Sequence, residues 1–136
     1  LEFRRVLFRS KAIQEISRVL KPGGLCLLTV PQENELHEEP RDYFRYTKYG
    51  LQKLFEDAGM MVDAMDQRGA YHAMMMQIRI RHLINTFKPY ERKIAMSVLC
   101  PLSILLTKYA LLRDRLAQSE AARLHTIGWC VLARKQ

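Results

Sequence analysis

Ile13-Gln14-Glu15-Ile16-Ser17-Arg18-Val19-Leu20-Lys21-Pro22-Gly23-Gly24-Leu25-Cys26-Leu27-Leu28-Thr29-Val30-Pro31 is the stretch that decides the fold class. Ile13, Ile16, Val19 and Leu20 recur at helical spacing, which predicts a helix over residues 11–20. Lys21-Pro22-Gly23-Gly24 then stops it, because proline cannot continue a helix and glycine tolerates the left-handed backbone of a tight reversal. The apolar run over residues 25–30 is too short for a second helix and reads as a strand buried on both faces, closed by Pro31. Helix, turn and buried strand in this order point to an α/β protein.

Outward from there, residues 32–46 are polar and aromatic without a steady period. A loop of about 15 residues is at the long end of the usual range and more often serves a function than a simple connection. Thr47 is a good N-cap for a helix through Ala58, with Leu51, Leu54 and Phe55 inward and Gly59 as its stop. Residues 60–66 fit a strand. Two long helical stretches follow, over residues 70–87 and 92–116, parted by Lys88-Pro89-Tyr90. Residues 126–134, with the single tryptophan at 129, read as a last strand.

Composition sets bounds on function. At 136 residues, 49% apolar and 26% charged, the chain has the make-up of one soluble globular domain. Its formal charge is +8, from 22 basic and 14 acidic residues. The excess is dispersed, Arg79 and Arg81 among it, without the basic stripe or motif of a nucleic-acid binder, so no nucleic-acid partner is expected. Cys26, Cys100 and Cys130 are widely spaced in apolar surroundings with no CxxC pair. They read as reduced core cysteines, with neither a disulfide framework nor a metal site.

Leu1-Glu2-Phe3-Arg4-Arg5-Val6-Leu7-Phe8-Arg9-Ser10 resembles a translated sequencing adapter, since CTG GAG TTC AGA CGT GTG CTC TTC CGA TCT encodes all ten residues. Residues 1–10 are therefore read as an artefact outside the fold, and residues 11–136 as the protein itself, a reading frame that has lost its upstream half. Setting the ten aside leaves 19 basic and 13 acidic residues, or +6. No secretory signal is visible in the remainder, so the expected location is cytoplasmic, with association to a membrane surface the alternative.

The segments Glu15-Ile16-Ser17-Arg18-Val19-Leu20-Lys21-Pro22-Gly23-Gly24, then Arg45-Tyr46-Thr47 through Gly50-Leu51, Phe55 and Ala58-Gly59-Met60, and last Trp129-Cys130-Val131-Leu132-Ala133-Arg134-Lys135, together resemble the C-terminal half of a class I S-adenosylmethionine-dependent methyltransferase of the small-molecule, type 11-like kind. The likeness covers residues 11–70 well, 126–135 adequately and the middle poorly. It implies the C-terminal part of a Rossmann-like methyltransferase sheet: three strands, the last two antiparallel, with a helical insertion over residues 71–116 before the final strand. It also implies that the parent enzyme uses S-adenosylmethionine. That cofactor would lie on the early strands, on a glycine-rich first turn and an acidic residue. No such segment occurs here, so no cofactor-binding residue is assigned and the chain by itself is expected to bind the cofactor poorly and to be inactive.

In the family the loop after the fifth strand borders the acceptor pocket. Carried over, this makes His37 the candidate general base and Glu39, Asp42, Tyr43, Arg45 and Tyr46 candidate substrate contacts. The bland reading is that Asp42 and Arg45 pair or cap the next helix while the rings pack the loop down. Met74-Met75-Met76, with Met60, Met61 and Met65, reads as core filler rather than as a surface for a lipid.

The expected function is methylation of a small-molecule or lipid-linked acceptor. Residues 94–112 are strongly apolar but interrupted by Pro101, Lys108 and Tyr109, and flanked by Arg92, Lys93, Arg113 and Arg115. They suit a cap or an interfacial helix better than a membrane span, which places a possible membrane-surface contact at residues 92–116. The alternative reading is a non-catalytic peripheral membrane or interaction domain built on these helices.

Overall fold

A computed structural model of the chain describes residues 3–36, 39, 40, 42, 44–87, 89–117 and 119–136. The elements run α1 (Phe3–Val19), β1 (Leu25–Pro31), α2 (Lys48–Asp57), β2 (Met60–Gln67), α3 (Tyr71–Thr86), α4 (Pro89–Ala117), α5 (Glu120–Arg123) and β3 (Gly128–Lys135). The fold is mixed α/β. Its backbone divides into two compact units, one of Leu1–Gln32, Leu36–Gln67 and Gly128–Gln136, the other of Glu33–Glu35 and Arg68–Ile127.

The first unit is built on a three-stranded sheet of order β1-β3-β2, in which the C-terminal strand is central and antiparallel to both neighbours. Leu25 lies opposite Arg134 and Pro31 opposite Gly128, while Met60 lies opposite Lys135 and Gln67 opposite Trp129. The Lys-Pro-Gly-Gly turn makes the pairing possible. Gly23 has φ 78°, and the Gly23 N–H donates to the Lys135 carbonyl at 2.9 Å while the Lys135 N–H donates to Gly24 at 2.9 Å. The Lys135 ammonium also donates to the Leu20 carbonyl at 2.8 Å, tying the end of the chain to the residue after α1.

One face of the sheet carries the core. Ile13 from α1 and Leu51 and Phe55 from α2 meet Cys26, Met60, Trp129, Val131 and Ala133 from the strands. Phe55 and Val131 are fully buried, and each such side chain stabilises the fold by about 1.5–3 kcal/mol through the apolar area removed from water. The Trp129 indole N–H donates to Gln32 Oε1 at 2.6 Å, so its polar atom is satisfied. α2 begins as its sequence demands, with the Thr47 hydroxyl accepting from the Gly50 N–H at 3.2 Å, and it ends at Gly59, φ 69°.

Three expectations are corrected here. β1 is not buried on both faces: Cys26 points into the core, whereas Leu25 and Leu27 are 56% and 70% exposed. A continuous apolar run cannot reveal that only one of its faces is covered. α1 starts at Phe3 rather than near Lys11, because residues 3–10 contain neither glycine nor proline to halt it. Of the cysteines, all three free, only Cys26 is buried; Cys130 is half-buried and Cys100 exposed.

Burial pushes the Cys26 thiol above its ordinary value of 9.0, because a thiolate there would lose its hydration. With the folded value raised, the unfolded chain releases the proton first, so the associated stability is complete at neutral pH and declines as pH rises above the unfolded thiol's range. Alkylation at neutral pH, followed by peptide mass spectrometry, is expected to label Cys100 first and Cys26 last.

Gly128 supplies a second test. A Cβ there would lie 2.3 Å from the Val30 carbonyl oxygen, a backbone atom of β1 that cannot swing away. Gly128→Ala is expected to cost about 1–3 kcal/mol in a denaturant titration, the usual cost of forcing extra atoms into a packed site.

In the second unit α3 packs on α4. Among its described residues Ala73, Met74, Ala110, Ala122 and Thr126 are buried, so the reading of the methionines as core filler holds for Met74 here and for Met60 in the first unit, but not for Met61, which is exposed. α4 continues through Pro101 without ending. Among the described residues no helix is long and apolar enough to cross a membrane.

Candidate functional site

α3 places Met74, Gln77, Ile78, Arg81, His82 and Asn85 along one side at intervals of three and four, the spacing that stacks side chains on one helix face. With Glu33–Glu35 and Ile127 they line a cavity of about 260 Å³ inside the second unit. The segment Glu33–Glu35 is held in place from both ends of this wall. The Glu33 N–H donates to the Ile127 carbonyl at 3.1 Å, and the Asn85 side-chain amide donates to Glu35 Oε2 at 2.8 Å. The Arg81 guanidinium donates to Asn34 Oδ1 and lies 3.5 Å from the Glu35 carboxylate.

The result is an apolar floor of Met74, Ile78 and Ile127 under a rim of fixed polar groups, the general make-up of a small-molecule site. Arg81 is a guanidinium with five donors, and its contacts to Asn34 and Glu35 fix its plane, so it can present the remaining donors to a carbonyl, hydroxyl or carboxylate. His82 brings an imidazole to the same wall, a side chain suited to proton transfer.

The expected site residues fall differently. His37 and Tyr43 lie outside the described residues. Glu39 is exposed. Asp42 and Arg45 form a two-pronged ion pair with each other, the local pairing their spacing allows. Tyr46 packs against the core of the first unit, and its ring stacks with that of Phe44 at a centroid distance of 6.5 Å. None of the described members of this set lines the cavity. Arg81, His82 and Asn85 are the residues that sequence reasoning missed. Their signal is a polar run on the same helix face as Met74 and Ile78.

A second depression, of about 290 Å³, is lined by Gln52, Glu56, Met60, Met61, Val62 and Gln136 of the first unit. Its acidic side chain, Glu56, already accepts from Gln52 at 3.0 Å. Among the described residues no group of three or more His, Cys, Asp or Glu side chains could hold a metal ion.

S-adenosylmethionine is held in Rossmann-like folds at a glycine turn leading from a strand toward a helix, and the stretch from β2 to α3 is such a turn. Gly69 stands there with φ 72°, but the space a Cβ would occupy is filled by Ala73 Cβ at 2.8 Å and Ile127 Cδ1 at 3.2 Å. The first amides of α3 are also taken. Asp114 of α4 accepts from the N–H groups of Ala70, His72 and Ala73 at 2.9, 2.9 and 3.0 Å. A helix N-terminus is a natural seat for an anionic group, and here the chain's own carboxylate occupies it. This turn makes no cradle for the cofactor.

No protein-family model matches the chain, and no curated protein does. Among solved structures it is similar to the crystal structure of the [4+2]-cyclase SpnF. The identity is 19% and the TM-score 0.45, over 93% of this chain and 43% of that one. The chain thus spans less than half the length of that structure. At this level the likeness decides neither activity nor ligand, which have to be read from the residues.

Proposed function

We propose that the chain is the C-terminal portion of a class I S-adenosylmethionine-dependent methyltransferase acting on a small-molecule or lipid-linked acceptor, with the cofactor-binding half encoded upstream of Lys11. The observation that supports it best is the sheet. A Lys-Pro-Gly-Gly turn feeds β1, an edge strand in this sheet, whose Leu25 and Leu27 stand in water, while β3 lies between β1 and β2. An edge strand with a bare apolar face is a liability for a free-standing sheet, and it is what half of an open α/β sheet would leave without the upstream strands that pair that edge and the helices that cover that face.

Methyl transfer is an in-line displacement at a sulfonium carbon. The protein's part is to align acceptor with donor and to accept a proton when the acceptor is a hydroxyl or amine. In this reading Arg81 and the apolar floor of the cavity orient the acceptor. His82, on the cavity wall, joins His37 as a candidate base. S-adenosylmethionine would supply the methyl group from the upstream half, and no residue described here is assigned to holding it.

Sequencing the source DNA upstream of the Lys11 codon, with primers that exclude library adapters, tests the proposal. The expected result is an open frame through a strand, a glycine-rich turn and an acidic residue about 20 positions later. A genuine start codon leading into Leu1–Ser10 would contradict it.

A further inference from the structure

The solvent side of α4 carries a second surface unrelated to the cavity. Leu102, Leu105, Tyr109, Leu112 and Leu116 follow one another at intervals of three and four, and all are exposed, Leu105 at 64% and Leu116 at 70%. With a rise of 1.5 Å per residue they form a continuous apolar stripe about 21 Å long. Apolar strips of this length seldom stay in water on a protein without a partner.

Charge narrows the choice of partner. At about 100° per residue, Lys108 and Arg115 border one side of the stripe and Arg113 the other. Between residues 97 and 117 the single acidic residue is Asp114, and its carboxylate is bonded to the start of α3. From residue 97 to the end of α4 the stripe is therefore flanked by positive charge alone, with Glu120 beyond its end. A second copy of the chain, packed through the same stripe in either direction, would set these cations against their counterparts. Beyond Lys108 and Arg115 the helix is apolar again, at the exposed Ile104 and Leu111. A single helix seated on the stripe would leave these two uncovered, whereas cations set within apolar surface on long stems suit an interface where stems sink and charges rise to meet phosphate.

We propose that α4 is a docking surface for an anionic lipid bilayer, lying along it with the stripe in the headgroup boundary and Lys108, Arg113 and Arg115 on lipid phosphates. The inference does not depend on the methyltransferase reading and can fail without it.

The test is co-sedimentation of the full chain with vesicles of phosphatidylcholine alone or with about 30% phosphatidylglycerol. Binding is expected only to the anionic vesicles, falling steeply as salt is raised from about 0.1 M to about 1 M. Lys108→Glu with Arg115→Glu is expected to weaken it at least about 10-fold. Leu105→Ser with Leu112→Ser is expected to do the same with an unchanged far-ultraviolet dichroism spectrum, since both leucines are exposed. The proposal is overturned by equal binding to neutral vesicles, by no binding, or by binding indifferent to the leucine pair. It is also overturned if the leucine pair instead abolishes self-association in sedimentation velocity, or capture by an acidic helical peptide, in a chain that ignores vesicles.

Discussion

Phe55→Ala is expected to leave the sheet-bearing unit largely unfolded. Phe55 has no exposed surface and sits where α2 meets the sheet, in one cluster with Leu51, Met60 and Val131. Removing a buried phenylalanine ring costs about 3–5 kcal/mol, from lost transfer energy and the cavity left behind. That is a large share of the 5–15 kcal/mol typical of a whole domain, and this sheet has an uncovered apolar face besides. A urea titration followed by Trp129 fluorescence would measure it, since Trp129 belongs to the same cluster. Phe55→Leu, which fills most of the space, should lose markedly less.

Asp114→Ala should be comparably severe for the second unit. α3 begins at Tyr71 after Ala70, a residue with no side chain to cap it, and no side-chain cap is formed at that position. The missing acceptor comes from 41 to 44 residues away, where the Asp114 carboxylate takes three backbone N–H groups. Hydrogen bonds to a charged group contribute about 1.5–3 kcal/mol each, with less than full additivity, so losing the set should cost about 3–5 kcal/mol. Hydrogen exchange at the first turn of α3 would show it locally and dichroism globally. Asp114→Asn keeps an acceptor oxygen without the charge and should recover part of the loss.

The contrast between these residues shows what the sequence makes legible. Thr47, Gly59 and the Lys-Pro-Gly-Gly turn act on neighbours within a few positions, so the limits of α2 and the entry to β1 can be read from local chemistry. The partner of Asp114 cannot, because no local pattern joins it to Ala70; the one hint is that Ala70, in the cap position of α3, has no side chain to accept from the first turn, which needs an acceptor from elsewhere. β1 was legible as a strand but not in its environment, since Leu25 and Leu27 look the same in sequence whether a neighbour covers them or water does.

The cavity was hidden for a related reason. Arg81 reads as one member of a dispersed basic surface, and only the fold reveals that Asn34 and Glu35 hold it against an apolar floor. Conversely, the loop dense in ionisable and aromatic groups reads in sequence as a pocket wall. Yet its described members Asp42 and Arg45 bond to each other, and Tyr46 packs into the core. Both of these local explanations were available in the spacing.

We propose that this chain is the C-terminal portion of a methyltransferase whose cofactor-binding half is encoded upstream of Lys11. Calorimetric titration of S-adenosylmethionine tests it most directly, run on this chain and on the product of the same gene read from upstream of the Lys11 codon. Binding by the extended protein, with none by this chain, is the predicted result. Tight binding by this chain alone, or none by the extended protein, would contradict it.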